Sequence, residues 1–253
     1  MFEEELAFAN ELADRAGEIG LSFFGGSFEV RLKPDRSPVT EADIAVEEAI
    51  RESIRSRYPD DGVLGEEGGS EGRGRRRWIV DPIDGTKNFA DGVQVWSNLI
   101  ALAVDDEPVV GVANFPALQE RYEAAVGGGA RLNGDAIHVS QTDRLSASFF
   151  VFAGMEDWLD GPYAPGVQAL VTEARRNRGF GDAWGHCLVA RGSADVMVEL
   201  ELATWDWAAL QVVVQEAGGR MSRFDGKPLV HGGTVLSTNG ILHDEVVARL
   251  APG

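Results

Sequence analysis

Residues 78–86 read Trp-Ile-Val-Asp-Pro-Ile-Asp-Gly-Thr, so an apolar triplet runs directly into two carboxylates, Asp81 and Asp84, set three apart around a proline. The triplet has the character of a buried strand. A carboxylate at the end of such a strand is expensive to desolvate, and two neighbouring ones repel unless a cation stands between them. Hard divalent ions meet that need: Mg²⁺ takes oxygen ligands in near-octahedral geometry, keeps several waters, and is held by a few carboxylates together with substrate phosphate. Pro82 stiffens the turn, which lets Asp81, Asp84 and the carbonyl of Ile83 face one point. Gly85 and Thr86 then read as a helix start, whose free N–H groups suit a phosphate.

Three further stretches place acids where the chain turns or changes element: Asp43 in "SPVTEAD", Glu66 and Glu67 in "VLGEEGG", and Asp206 in "TWDWAAL". Each also has a purely structural reading. Thr40 and Asp43 fit a capping box, the paired glutamates fit an acidic loop between glycines, and Asp206 fits the first turn of a helix, where the macrodipole favours negative charge. Their joint occurrence around "DPIDGT" is what points to a metal centre.

Outward from this stretch, apolar spacing predicts helices over 3–24 and about 40–58, then strands over 78–81, 97–104, 109–115 and 121–126, with "LAVDDEPVVG" as a hairpin. After residue 145 the pattern alternates: a strand at 148–152, helices near 164–176 and 182–191, a strand at 194–199, a helix at about 205–217, further strands and a last helix from Asn239. The expected organisation is an α+β lobe, 1–145, carrying most metal ligands, and an α/β lobe, 146–253, carrying the alcohol pocket and the last ligand. "RGRRRW", with Arg73, Arg75, Arg76 and Arg77, reads as a solvated loop.

The bulk numbers narrow the function. A formal charge of −18 over 253 residues disfavours nucleic acid and anionic membranes as partners. The longest apolar run, Leu99 to Val104, is far too short for a span. A single cysteine, Cys187, excludes an internal disulfide and a thiolate zinc cage, and together with an acidic, amphipathic N-terminus sets cytoplasmic residence as the expectation.

"SPVTEADIAVE", "GEE", "WIVDPIDGTKNF", "CLVARGSAD" and "WDWAALQVVVQEAGG" together resemble the inositol monophosphatase-like, magnesium-dependent sugar-phosphatase family over nearly the whole chain. Within it, "GVLGEEGG", "VWSNLIAL", "FGDAWGHCLVA" and "HGGTVLSTNGILHDEV" look like the histidinol-phosphate phosphatase branch. The resemblance implies a layered αβαβα sandwich and a phosphate monoester hydrolase using two or three Mg²⁺ ions and metal-activated water. It makes Glu66, Asp81, the Ile83 carbonyl, Asp84 and Asp206 the metal ligands, with Asp43 holding a further ion. Thr86, with Glu66, matches the pair that orients the attacking water, and the amides of Gly85 and Thr86 match the phosphate cradle. A homodimer is the assembly it suggests. Position 87 departs from the inositol-type pattern, with Lys where many members carry a second Thr.

Where inositol-type members carry a small or hydroxyl residue, this chain has Asp182, and Glu199 stands seven residues before Asp206. Both carboxylates suit the ammonium of L-histidinol phosphate, with Asp206 on the substrate side as well, although Asp182 equally fits a helix N-cap. Trp184, Trp96 and His138 are candidates to meet the imidazole. The other readings are inositol 1-phosphate or fructose 1,6-bisphosphate as substrate, a haloacid-dehalogenase mechanism, disfavoured because its aspartates lie two apart, and an inactive regulatory homologue.

Overall fold

A computed structural model describes residues 2–26, 30–32, 38–72 and 74–251. Helix α1 (Glu3–Phe23) opens with glutamates in its first turn and buries a stripe that includes Phe8, Leu12 and Ala16. A small antiparallel hairpin, β1 (Val30–Leu32) and β2 (Pro38–Thr40), leads into α2 (Glu41–Arg57). The expected capping box is present: Thr40 Oγ1 accepts the Ala42 N–H, and Asp43 Oδ2 accepts the Thr40 N–H at 2.7 Å.

The strands that follow are β3 (Gly62–Gly65), β4 (Gly69–Glu71), β5 (Arg76–Asp84) and, after the short helix α3 (Thr86–Ala90), β6 (Ser97–Val104), β7 (Glu107–Phe115), β8 (Glu120–Ala125), β9 (Ala130–Leu132) and β10 (Asp135–Ile137). They form one sheet in the order β10-β9-β8-β7-β6-β5-β3-β4, antiparallel except where β3 lies parallel to β5. Asp105 and Asp106 turn the β6–β7 hairpin with both φ angles positive, 53° and 66°, the handedness that matches strand twist.

The remaining elements are β11 (Phe149–Phe152), α4 (Ala164–Glu173), β12 (Arg176–Gly179), α5 (Asp182–Ala190), β13 (Val196–Leu202), α6 (Thr204–Glu216), β14 (Arg220–Ser222), β15 (Gly233–Thr238) and α7 (His243–Leu250). The second sheet has the order β12-β11-β13-β15-β14, with β12, β11 and β13 parallel and β15 antiparallel to its neighbours.

Strand periodicity sorts these elements into layers. Trp78 and Val80 of β5 and Ile100 and Leu102 of β6 pack with Phe8, Leu12, Ile50 and Ile54 of α1 and α2. Their alternates, Ile79, Leu99 and Ala101, face Trp207, Leu210 and Val213 of α6 and Cys187 of α5. Val151 and Met197 of the second sheet cover α5 through Leu188 and Val189, while Phe150, Val196 and Leu236 face Val167 of α4 and Val246 of α7. The result is the αβαβα sandwich. Alternation also aims Asp81, two residues after Ile79, into the central helical layer where α6 begins.

Several local expectations are corrected. Arg76 and Arg77 belong to β5 rather than to a loop, because Arg76 is tied to Asp61 and Glu5 at 3.0 and 3.1 Å; Arg73 lies outside the described residues. The helix expected to reach 176 stops at Glu173 and gives way to the edge strand β12. The last helix starts at His243 rather than Asn239, since Asn239 Oδ1 instead accepts the Leu242 N–H in a turn. Strands β3, β4, β9, β10 and β12 carry too little apolar alternation to be read from sequence.

Candidate active site

Strand β5 breaks register with β6 between Asp81, opposite Leu99, and Asp84, opposite Ser97, so the two acids flank an irregularity within the strand rather than a separate turn. Pro82 has no N–H to offer, and its carbonyl is held instead by Asn98 Nδ2 at 2.7 Å. Asp84 Oδ2 accepts Ser97 Oγ at 3.2 Å and the Ala183 N–H at 3.0 Å, so a carboxylate of the first sheet sits on the N-terminus of α5. Asp81 is buried, and its Oδ1 has no hydrogen-bond partner among the described residues.

Asp43 and Asp206 occupy equivalent places at the third residue of α2 and α6. Each spends Oδ2 on the N-cap amide, at 2.7 Å from Thr40 and from Ala203. The capping and metal readings therefore do not compete, because one oxygen caps and the carboxylate still borders the site. Thr86 Oγ1 bridges toward the Ile83 carbonyl at 3.0 Å and Asp43 Oδ1 at 3.5 Å. Gly85 takes φ 79°, and a Cβ there would stand 3.2 Å from Asp182 Oδ2 and from the Val95 carbonyl.

Glu66 is set in place by a pair on α2 that sequence reading missed. Glu47, buried, accepts the Glu67 and Gly68 amides at 2.8 and 2.7 Å and Arg51 Nε at 2.7 Å, while Arg51 Nη2 reaches the Gly69 carbonyl at 2.6 Å. Gly65 is required beside it, since a Cβ would come within 2.4 Å of Glu47 Oε1. The i, i+4 spacing of Glu47 to both Asp43 and Arg51 is the signal that was available.

Glu66, Asp81, Ile83, Asp84, Gly85, Thr86 and Asp206 line a cavity of about 180 Å³ in which seven of twelve residues are acidic and none is basic, while Asp43 stands behind Thr86, outside the lining. Burial, followed by the charges of Glu66, Asp84 and Asp206, pushes the Asp81 carboxyl well above its usual range. Burial and the neighbouring Asp182 and Asp206 do the same to Asp84. Asp206 rises to about 7, chiefly through burial, and its carboxyl is within hydrogen-bonding reach of Asp81. Two carboxylates so placed must share a proton or a cation. Among the described residues no three His, Cys, Asp or Glu side chains form a ready-made metal cage. The donor set is nonetheless oxygen only and includes the unpartnered Asp81 Oδ1, which suits a hard cation whose shell is completed by water and substrate.

Glu66, Gly85, Thr86, Asp182 and Glu199 also line an adjoining cleft of about 690 Å³, together with Lys87, Asn88, Phe180 and Trp184. Asp182 is not a helix cap: the N-cap of α5 is Gly181, and Asp182, with φ 57°, accepts Asn88 Nδ2 at 3.1 Å. Burial raises its carboxyl, opposed by Lys87. Glu199 accepts the Asp182 amide and meets His186 Nε2 at 3.2 Å. Of the aromatic candidates only Trp184 borders the cleft. Trp96 is fully buried against Phe24 and Phe89, and His138 is exposed and absent from the lining. A further concavity of about 520 Å³, between α1 and β7–β8, holds none of the clustered acids.

A five-layer sandwich that brings an all-oxygen acidic cavity beside a helix-start amide cradle defines a phosphoric monoester hydrolase. The chain belongs to the inositol monophosphatase family, whose sequence model matches residues 1–251, and whose members are metal-dependent phosphatases acting on small phosphorylated substrates. It is 45% identical to a histidinol-phosphatase of Mycobacterium tuberculosis (strain ATCC 25618 / H37Rv) over all of both chains. It is 41% identical to a histidinol-phosphatase of Streptomyces coelicolor (strain ATCC BAA-471 / A3(2) / M145), covering 98% of this chain and 97% of that one. Among solved structures, an inositol monophosphatase from Zymomonas mobilis superposes with a TM-score of 0.89 at 31% identity, over 99% of this chain and 98% of that one. Among the described residues no helix is long and apolar enough to cross a membrane.

Proposed function

We propose that the enzyme hydrolyses L-histidinol phosphate with two or three Mg²⁺ ions. The observation that carries this reading is the pair Asp182 and Glu199, both on the wall shared by the acidic cavity and the cleft, where a neutral polyol would leave the pair with Lys87 as its one facing cation among the cleft residues. The full-length likeness to histidinol-phosphatases supports it.

In this reading Glu66, Asp81, the Ile83 carbonyl, Asp84 and Asp206 hold the ions, with Asp43 at a further one. When bound, the ions neutralise the ester oxygens, lower the pKa of water and stabilise the leaving alkoxide. The protein's own part is orientation. Thr86 points its hydroxyl proton at Ile83 or Asp43, which leaves a lone pair to accept from the attacking water, while Glu66 accepts from its other side. The amides of Gly85 and Thr86 cradle the phosphate. The alcohol end extends into the cleft, its ammonium between Asp182 and Glu199 and its ring toward Trp184.

The division into lobes 1–145 and 146–253, a homodimer and cytoplasmic residence belong to the same proposal. The acid cluster at the boundary of the two sheets supports the first, family resemblance the second, and a lone buried thiol at Cys187 the third. Phosphate release from L-histidinol phosphate, inositol 1-phosphate, fructose 1,6-bisphosphate and p-nitrophenyl phosphate tests the function. A kcat/KM highest for L-histidinol phosphate is expected, and a preference for inositol 1-phosphate overturns the substrate.

A further inference from the structure

His186 is buried at 0% exposure on α5, one helical turn after Asp182, and is itself a lining residue of neither cavity. Its Nδ1 lies 2.7 Å from Ser237 Oγ on β15, and its Nε2 lies 3.2 Å from Glu199 Oε2 on β13. The geometry points to His186 as a positioning residue that sets substrate specificity, holding Glu199 as an uncancelled carboxylate for the ammonium of an amino-alcohol phosphate. This inference rests on the reading of Asp182 and Glu199 given above.

The tautomer follows from the partners. A carboxylate only accepts, whereas a serine hydroxyl both donates and accepts. Ser237 therefore donates to Nδ1, and the single N–H of a neutral imidazole lies on Nε2, directed at Glu199. Burial favours the neutral ring and pushes its pKa down to about 3. Burial and the neighbouring acids Asp182, Asp84 and Asp206 push the Glu199 carboxyl well above its usual range, opposed by the Asp182 amide, so the carboxylate form that the Nε2–H orients is completed by the arriving ammonium.

Neutrality is the point of the arrangement. An arginine or lysine behind Glu199 would fix it equally well but would cancel its charge, leaving no field for an incoming ammonium. The molecule contains that alternative nearby. Glu120 accepts Arg191 Nη1 at 2.8 Å and Trp184 Nε1 at 3.0 Å, so it is a compensated carboxylate that braces the back of Trp184. Glu199 receives two neutral N–H donors instead, which orient its oxygens without neutralising them.

His186→Leu keeps the volume and removes the donor; His186→Gln keeps an N–H at the reach of Nε2. With L-histidinol phosphate, His186→Leu is expected to raise KM about tenfold or more, with kcat within about threefold, because one hydrogen bond to a charged group is lost. Hydrolysis of p-nitrophenyl phosphate and the Mg²⁺ concentration for half activation should stay unchanged, and His186→Gln should recover most of the lost KM. Ser237→Ala, which frees the imidazole to place its proton on either nitrogen, should shift KM the same way by a smaller factor and serves if the leucine variant does not fold. Equal loss on both esters, or identical behaviour of the Leu and Gln variants, overturns the role of His186 while wild-type preference for the amino ester stands. A wild type that does not prefer the amino ester over inositol 1-phosphate overturns the substrate reading and this inference with it.

Discussion

Two strands, one from each sheet, lose register where they deliver acids to the site. Strand β5 slips between Asp81 and Asp84, and β13 slips between Glu199 and Leu202, where Glu201 takes φ 58°. At the first break the Pro82 carbonyl is secured by Asn98, yet Asp81 Oδ1 has no hydrogen-bond partner among the described residues and lies among Glu66, Asp84 and Asp206. At the second, Glu199 is supported by two neutral N–H groups beside a wide cleft. The first arrangement suits a small hard cation that can reach the oxygen itself. In the function we propose, the second takes an organic cation that approaches from solvent. On that reading a broken ladder serves two chemistries, and the donors behind each acid decide which.

Removing a negative oxygen from the first break should have the largest effect. Asp84→Asn and Asp206→Asn are expected to lower kcat/KM on every ester by about a thousandfold or more, with Mg²⁺ activation shifted beyond reach and the circular dichroism spectrum unchanged. Near-wild-type turnover in either variant would remove the metal-site assignment and with it the contrast. Thr86→Ala comes next. In the proposed role its hydroxyl orients water rather than anchoring an ion, so kcat should fall on the order of a hundredfold while Mg²⁺ affinity, measured by calorimetry, changes little. The opposite pattern, affinity lost and single-turnover chemistry intact, would move Thr86 to the metal shell.

The second break predicts selective damage. Asp182→Ala should depress kcat/KM for L-histidinol phosphate roughly ten- to a hundredfold, the worth of a charged hydrogen bond, and p-nitrophenyl phosphate hydrolysis much less. Because Asp182 does not cap α5, and its loss relieves the pair of one buried carboxylate, the melting temperature should not fall. Equal loss on both esters would merge the two breaks into one site.

The first break was more legible in the sequence than the second, for a physical reason. Asp81, Asp84, Asp43 and Asp206 sit at strand ends and first helical turns, positions that local pattern marks, and the capping geometry of Asp43 was read correctly from "TEAD" alone. Alternation marked the strands that the core confirms at Trp78 to Val80 and Leu99 to Leu102, while the layered sandwich itself was what the family resemblance implied. What stayed hidden depends on contacts across the sandwich. Asp84 meets the α5 amide 99 residues on, Asn98 reaches Pro82 across the ladder, and His186 meets Ser237 51 residues away. Trp96 was misplaced for a related reason: an aromatic near the motif faces the cleft or the core according to strand parity and the packing of Phe24 and Phe89, which its neighbours in sequence do not reveal.

The smallest effect concerns stability, and it separates the two breaks by what rescues them. In metal-free protein the carboxyl pKa values of Asp81, Asp84, Asp182, Glu199 and Asp206 are all raised, chiefly by burial, that of Asp206 to about 7. Below pH ~4 folded and unfolded chains both hold these protons; between about 4 and 7 the unfolded chain releases them while the folded one keeps Asp206 protonated. The folded state then binds more protons, the slope of unfolding free energy against pH is negative, and stability falls as pH rises through that window. In EDTA the melting temperature at pH 7.5 should therefore lie below that at pH 5 by roughly 5 °C. Mg²⁺ at pH 7.5 should restore the part owed to Asp81, Asp84 and Asp206, and Asp206→Asn should flatten the slope without it. The part owed to Asp182 and Glu199 should persist in Mg²⁺ and yield only when L-histidinol is added. Full recovery with Mg²⁺ alone would mean that the second pair carries no stored repulsion of its own, and a melting temperature that rises with pH in EDTA would reverse the sign on which the contrast depends.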